Sequence, residues 1–238
     1  GDGWLYSRNE LDFLMAGELM PPNILKTSKA GNKANADPLP AIVDFDQSLK
    51  KLGIELILVP VPPKLAIYPT PELKEGDASV NLRKLYAALQ TKGVNVLDLT
   101  DAFISAKDKN VYCKTDSHWS PAGIGIAAAE IAAHIKIKGD NKFESSIHKL
   151  NITGDLSLSA KLGLQENVEI KSVKGKVFSD KSPVLLLTDS HGLVFSAGGD
   201  MLANDSGIAE NLALILCVPV ERIRSEEHTS ELQSPNTI

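Results

Sequence analysis

Asp116-Ser117-His118-Trp119 and, far downstream, Thr188-Asp189-Ser190-His191-Gly192 are the stretches of this chain whose residue types suit covalent chemistry. A serine hydroxyl becomes a usable nucleophile when an imidazole takes its proton and a carboxylate holds that imidazole in one tautomer. Ser190, His118 and Asp116 supply those three groups as nucleophile, base and orienting acid. Ser190 follows the apolar run Val184-Leu185-Leu186-Leu187, which reads as a buried strand. Such a strand would hold the backbone rigid while the turn after it projects the hydroxyl into a cleft. The Ser190 amide is then one candidate oxyanion donor, because a peptide N–H at a strand-to-helix turn is already oriented toward developing negative charge.

Both motifs also have a plain structural reading. Asp, Ser and Gly after a strand are ordinary turn residues. Ser120 and Pro121 make a helix start, with serine as N-cap and proline at the first helical position. That reading leaves the carboxylate, the imidazole and the indole ahead of them without a purpose, so the catalytic pair is preferred. A metal site from Asp116, His118, Asp189 and His191 is the other chemistry these residues allow. Nothing else in the chain adds a ligand cluster of recognisable metal spacing, and neither a metal nor an organic cofactor is expected.

The elements that must position these groups alternate between helix and strand. Ile42, Phe45, Leu49 and Leu52 recur at helical spacing up to Gly53, and the nearly continuous apolar run from Ile54 to Val61 reads as a buried parallel strand. Leu82, Leu85 and Leu89 mark a second helix ending near Gly93, with a strand over 94–99. A third helix runs from Pro121 to about Lys138 and carries Ile124, Ile131 and Ile135 inward; its alanines permit close packing. This rhythm predicts an α/β fold with a parallel sheet flanked by helices, and a ligand site beyond the carboxyl ends of the strands. Leu19 to Pro40 reads as a connection containing a short helix. Phe143 to Asp180 reads as a small β-containing insertion between the two motifs, either shaping an acceptor groove or simply covering the sheet. Lys64 to Pro69 is a turn fixed by prolines, or a wall of the site.

Taken together, Gly1-Asp2-Gly3-Trp4-Leu5-Tyr6, Val59-Pro60-Val61-Pro62-Pro63-Lys64 with Tyr68-Pro69, Val111 to Gly123 and the strand ending at Ser190 resemble successive blocks of the alginate O-acetyltransferase family. The resemblance implies an SGNH-hydrolase-like, flavodoxin-like fold, circularly permuted because the order Asp, His, Ser reverses the usual one. It implies a triad of Asp116, His118 and Ser190, a polysaccharide acceptor, a membrane-bound acyltransferase as source of the acetyl group, and a periplasmic location. His191 stands where the family suggests tyrosine or phenylalanine. The resembling region, 1–223, is expected to be one domain incomplete at both ends. From Arg224 onward the sequence looks like translated sequencing adapter, and a targeting segment is expected upstream of Gly1.

Without the residues from Arg224 on, which carry one Arg and three Glu, the net charge of -5 becomes -3. That mildly acidic balance offers no electrostatic footprint for nucleic acid, and no apolar run is long enough to span a bilayer. Cys113 and Cys217 read as small buried hydrophobes. Two rivals to acetyl transfer remain: a carbohydrate esterase or deacetylase using the same triad, and a non-catalytic polysaccharide-binding or assembly protein. A phosphate-cleaving enzyme is the weakest, for want of metal ligands.

Overall fold

The computed structural model of the chain describes residues 3–28, 31–32, 35–70, 73 and 77–224. All of the adapter-like segment after its first residue, Arg224, and the first two residues of the resembling N-terminal block lie outside them. Among the described residues the chain divides into two compact units, one within 6–107 and the other formed by 3–5 with 108–224.

In the first unit the helices are α1 (Arg8–Met15), α2 (Asn23–Thr27), α3 (Leu39–Lys51), α4 (Lys64–Ile67), α5 (Asp77–Thr91) and α6 (Thr100–Ser105). They accompany two short strands, β1 (Ile57–Leu58) and β2 (Asn95–Val96), which pair in parallel as expected. The α3 and α5 helices each stop at a glycine of positive φ, Gly53 and Gly93. There the amides of Ile54 and Val94 turn back onto the carbonyls of Leu49 and Leu89, closing the helix ends. The strands are shorter than the apolar runs suggest, and β1 cannot continue to Val61 because Pro60, and Pro62 and Pro63 beyond, have no N–H to donate to a ladder.

The buried face of α3 differs from the expected one. Ile42 and Val43 pack with Leu39 against Tyr86, Leu89, Val94 and Val96, whereas Phe45 and Leu52 are exposed. At 100° per residue the face is centred between Ile42 and Asp46, which leaves Phe45 and Leu52 beyond its edge. Asp46 itself is buried and takes an ion pair from Lys50 at 2.7 Å, and the same ammonium donates to the carbonyl of Gly93. The Lys64 to Pro69 block forms α4 rather than a bare turn, with Lys64 buried and its ammonium 5.4 Å from the Tyr6 ring centre.

The second unit contains α7 (Pro121–His134), β3 (Glu144–Ile152), α8 (Asp155–Ser159), β4 (Glu166–Lys174), β5 (Leu185–Thr188), α9 (Ile208–Leu216) and β6 (Glu221–Arg224). The expected β-containing insertion is an antiparallel pair, β3 with β4, in unbroken register from Glu144 opposite Lys174 to Ile152 opposite Glu166. Ile170 and Val173 of β4 are buried, and β4, α7 and α9 pack on one another. The chain after Ser190 supplies two elements that its sequence pattern had not disclosed: α9, and β6, which pairs in parallel with β5 from Leu185 opposite Glu221 to Thr188 opposite Arg224. Among the described residues the parallel strands form two separate pairs, β1–β2 and β5–β6.

The expectation of a fully buried β5 is corrected: Leu185 is 59% and Leu187 53% exposed. Val184 is buried just before the strand, and the side chains alternate between the two faces, so only part of the apolar run is covered. The α7 helix begins as expected. Ser120 accepts a hydrogen bond from the Gly123 amide and Pro121 opens the first turn. It ends at His134, short of Lys138, with Ile124, Ala127 and Ala128 fully buried. Cys113 is buried and Cys217 half-buried, and neither forms a disulfide. No helix among the described residues is long and apolar enough to cross a membrane.

Gly123 allows α7 to meet the segment before the first motif. A Cβ there would lie 2.2 Å from the carbonyl oxygen of Val111, a backbone atom that cannot rotate away. Gly123→Ala is therefore expected to destabilise the protein by about 1–3 kcal/mol, read as a lower urea midpoint; an unchanged midpoint would show that the helix can slide without cost.

Candidate active site

The first motif is the tip of a small two-stranded loop. Tyr112 and Trp119 form an antiparallel bridge, the Ser120 amide donates to Val111, and the Cys113 amide donates to the His118 carbonyl at 3.3 Å. The N-terminal block packs beside it: the Leu5 amide donates to Lys114, and the Lys114 ammonium lies 5.8 Å from the Trp4 ring centre. The second motif opens a single 3-10 turn, Ser190–Gly192, at the end of β5. The Asp189 carboxylate caps that turn by accepting from the His191 amide. Gly192 is required there, since a Cβ would lie 2.0 Å from the Thr188 hydroxyl.

These two loops meet at the three residues singled out from the sequence. His118 Nδ1 lies 2.6 Å from Asp116 Oδ1, and His118 Nε2 lies 2.9 Å from Ser190 Oγ. Asp116 accepts only, so Nδ1 carries the proton and Nε2 is left to accept from the Ser190 hydroxyl. Asp116 and His118 are buried while Ser190 is half-buried. The indole N–H of Trp119 donates to the His191 carbonyl at 2.9 Å and so ties one motif to the other. The His191 ring stands 4.8 Å from that of His118 and meets Trp119 edge-on.

Electrostatics favour an ionised Asp116. Burial works against its charge, but hydrogen bonds from the His118 ring and amide and from the Asp155 amide outweigh burial and hold its pKa below the ordinary carboxylate value. Burial likewise opposes a charged His118. The Asp116 hydrogen bond and the charges of Asp116, Asp155 and Asp189 prevail, so the pKa of His118 lies above its ordinary value. Asp189 is held low by its bond to His191, against partial burial.

Two carboxylates that the sequence pattern did not single out complete the site. Asp155, at the start of α8, accepts from the Ser117 amide at 2.7 Å and the Ser117 hydroxyl at 2.5 Å, while its own amide donates to Asp116 Oδ2. Glu166, the first residue of β4, accepts from the amides of Lys114 and Thr115 and from the Thr115 hydroxyl. Asp116, His118 and Asp155 bring three ligand-type atoms within 4.8 Å of one another. Asp116 Oδ1 and His118 Nδ1 are bonded to each other and both Asp155 oxygens are taken by Ser117, so the cluster is satisfied without an ion. Asp189 and His191 face each other rather than joining Asp116 in a shared ligand set.

Residues 1–182 match the family model described as an SGNH hydrolase-like domain of the acetyltransferase AlgX. The match includes Asp116 and His118 and ends before Ser190. Among curated proteins, the chain is 30% identical over 141 residues to the probable alginate O-acetylase AlgJ of Pseudomonas syringae pv. tomato, covering 58% of this chain and 32% of that protein. It is 31% identical over 142 residues to the probable alginate O-acetylase AlgJ of Pseudomonas fluorescens, again covering 58% of this chain and 32% of that protein. The chain thus spans about a third of the length of these relatives. Among solved structures, the O-acetyltransferase domain of Pseudomonas putida AlgJ superposes with a TM-score of 0.66 at 21% identity, covering 98% of this chain and 83% of that one. Pseudomonas aeruginosa AlgX superposes with a TM-score of 0.63 at 18% identity, covering 78% of this chain and 47% of that one. At such identities the structural likeness establishes the SGNH hydrolase-like fold.

Proposed function

The chain belongs to the family of SGNH hydrolase-like acetyltransferase domains typified by AlgX, and from that premise we propose that it transfers acetyl groups to hydroxyls of an alginate-like exopolysaccharide through an acyl-enzyme on Ser190. The observation that carries this reading is the hydrogen-bonded line from Asp116 through His118 to Ser190. In the first half, Ser190 Oγ bonds to the acetyl carbonyl carbon as its proton passes to His118 Nε2. The bond from that carbon to the donor's leaving group then breaks, and His118 returns the proton to the departing atom. In the second half a sugar hydroxyl attacks the acetyl-Ser190 ester, again losing its proton to Nε2, and Ser190 is released as the hydroxyl. Asp116 stays ionised throughout and stabilises the imidazolium formed in each half. The Ser190 amide is our oxyanion donor. The His191 amide is already committed to Asp189. No step requires a metal or an organic cofactor.

The acceptor we propose is an alginate-like polysaccharide, a reading supported by the names of the relatives. A membrane-bound acyltransferase as acetyl source and a periplasmic location belong to the same proposal.

Water and sugar compete for one intermediate, so the test is a partition measurement. The purified protein is given an acetyl donor with uronate and neutral oligosaccharides, and mass spectrometry follows acetylated sugar and free acetate together. The proposal expects acetylated uronate oligosaccharide in excess of acetate at saturating acceptor. Acetate alone with every acceptor would make the protein an esterase. Absence of any acetyl-Ser190 adduct would favour a binding or assembly role. The rate of ester cleavage alone would not discriminate, because both fates share the same first half.

A further inference from the structure

We propose that Asp155 is a positioning residue for the acyl-transfer site, its carboxylate clamping Ser117 and its charge facing His118 from the β3–β4 hairpin. The inference rests on the acetyl-transfer reading for its kinetic arm only. Ser117 lies between the two motif residues that must keep a fixed relation, and Asp155 binds both its amide and its hydroxyl. One residue earlier, the Gly154 amide donates to the Thr115 hydroxyl, and the Ser157 amide donates to the Thr115 carbonyl. The approach is so close that a Cβ on Gly154 would lie 2.3 Å from that carbonyl oxygen. Glu166, entering from the far strand of the hairpin, takes the amides of Lys114 and Thr115. Residues 114–117 are therefore bonded at successive positions to one insertion, and Asp155 is its point of contact beside the reacting groups.

This arrangement gives Asp155 two separable effects. Its backbone N–H on Asp116 Oδ2 survives any side-chain change. Its carboxylate fixes the loop through Ser117 and adds negative charge near the imidazole, which is otherwise faced by the carboxylates of Asp116 and Asp189 and by the His191 ring. Asp155→Asn retains the shape and an acceptor for the Ser117 amide while removing the charge. Asp155→Ala removes both.

The test reads the His118 ring by NMR titration in the free protein, and kcat and KM separately on a chromogenic acetate ester. Asp155→Asn is expected to move the His118 midpoint to lower pH, with the acid limb of turnover following it. Asp155→Ala is expected to lower plateau kcat by about 10²-fold with KM unchanged, as a displaced base would, and Asp155→Asn should restore most of that loss. A merely structural carboxylate would change unfolding without moving the His118 midpoint. An Asp155→Asn protein titrating at the wild-type midpoint overturns the proposal, whatever Asp155→Ala does. Should Asp155→Ala fail to fold, the Asp155→Asn titration still decides. Because that titration needs no acetyl donor, it also stands apart from the functional reading: a wild-type protein without acyl-enzyme would remove acetyl transfer and leave the role of Asp155 beside His118 to be settled by the midpoint.

Discussion

Ser190→Ala and His118→Ala are each expected to lower kcat on a chromogenic acetate ester by about 10⁴- to 10⁶-fold, with no acetyl adduct detectable by mass spectrometry. Without Oγ there is no atom to hold the acyl group. Without the imidazole, 2.9 Å away, the hydroxyl keeps its proton and remains a poor nucleophile. The double variant should be no slower than the slower single variant, because the two groups act in one step and the second loss removes nothing further. Ser190 is half-exposed, so its truncation should change stability by less than about 1 kcal/mol. A kinetic loss with unchanged unfolding would separate chemistry from misfolding. Multiplicative losses in the double variant would show that the two residues do not work as a unit.

Asp116→Asn should cost about 10⁴-fold in kcat, although the substitution is nearly isosteric. Asp116 receives only donors: His118 N–H and Nδ1–H on one oxygen, the Asp155 amide on the other. An asparagine must turn its NH₂ toward one of these sets. Facing His118, it drives Nδ1 to accept and puts the proton on Nε2, where the base lone pair is needed; facing Asp155, it sets two donors against each other in a buried place. The pH dependence has two opposite signs. Turnover requires neutral His118, so it should rise with pH through a midpoint above the ordinary value of about 6.5. The stability that His118 contributes by being more easily protonated when folded is complete below about pH 6.5 and is lost as pH rises through the raised folded pKa. Asp116, whose folded pKa is depressed, contributes stability above the ordinary carboxylate range and loses it as pH falls through the depressed value. Asp116→Asn removes the main stabiliser of the imidazolium, so the acid limb should move to lower pH. An Asn variant with wild-type kcat and an unmoved limb would exclude Asp116 as the orienting carboxylate.

What the sequence by itself determined was local. Ser120-Pro121 set the start of α7, Gly53 and Gly93 set the ends of α3 and α5, and the spacing Asp116-x-His118 put a carboxylate and an imidazole on one tight loop. Each follows from backbone preferences and side-chain reach within a few residues. The apolar runs near Ile57 and Asn95 were legible as strands of a parallel sheet from their continuous hydrophobicity and the helix between them, and 143–180 as a β-containing insertion, whose antiparallel register came from the structure. Tertiary structure decided the rest. It turned α3 so that Phe45 is exposed and Asp46 is covered, left Leu185 and Leu187 of β5 open on one face, and brought Ser190 to His118 across 72 positions of chain. It also brought Asp155 and Glu166 onto residues 114–117, and no pattern in the receiving loop could have shown this. The carboxylates there bind backbone amides, which every residue but proline possesses, together with two small hydroxyls, so the side-chain types of the loop do not mark its partners. Burial face and long-range hydrogen bonding depend on which surfaces meet, and that is settled only when the whole chain packs.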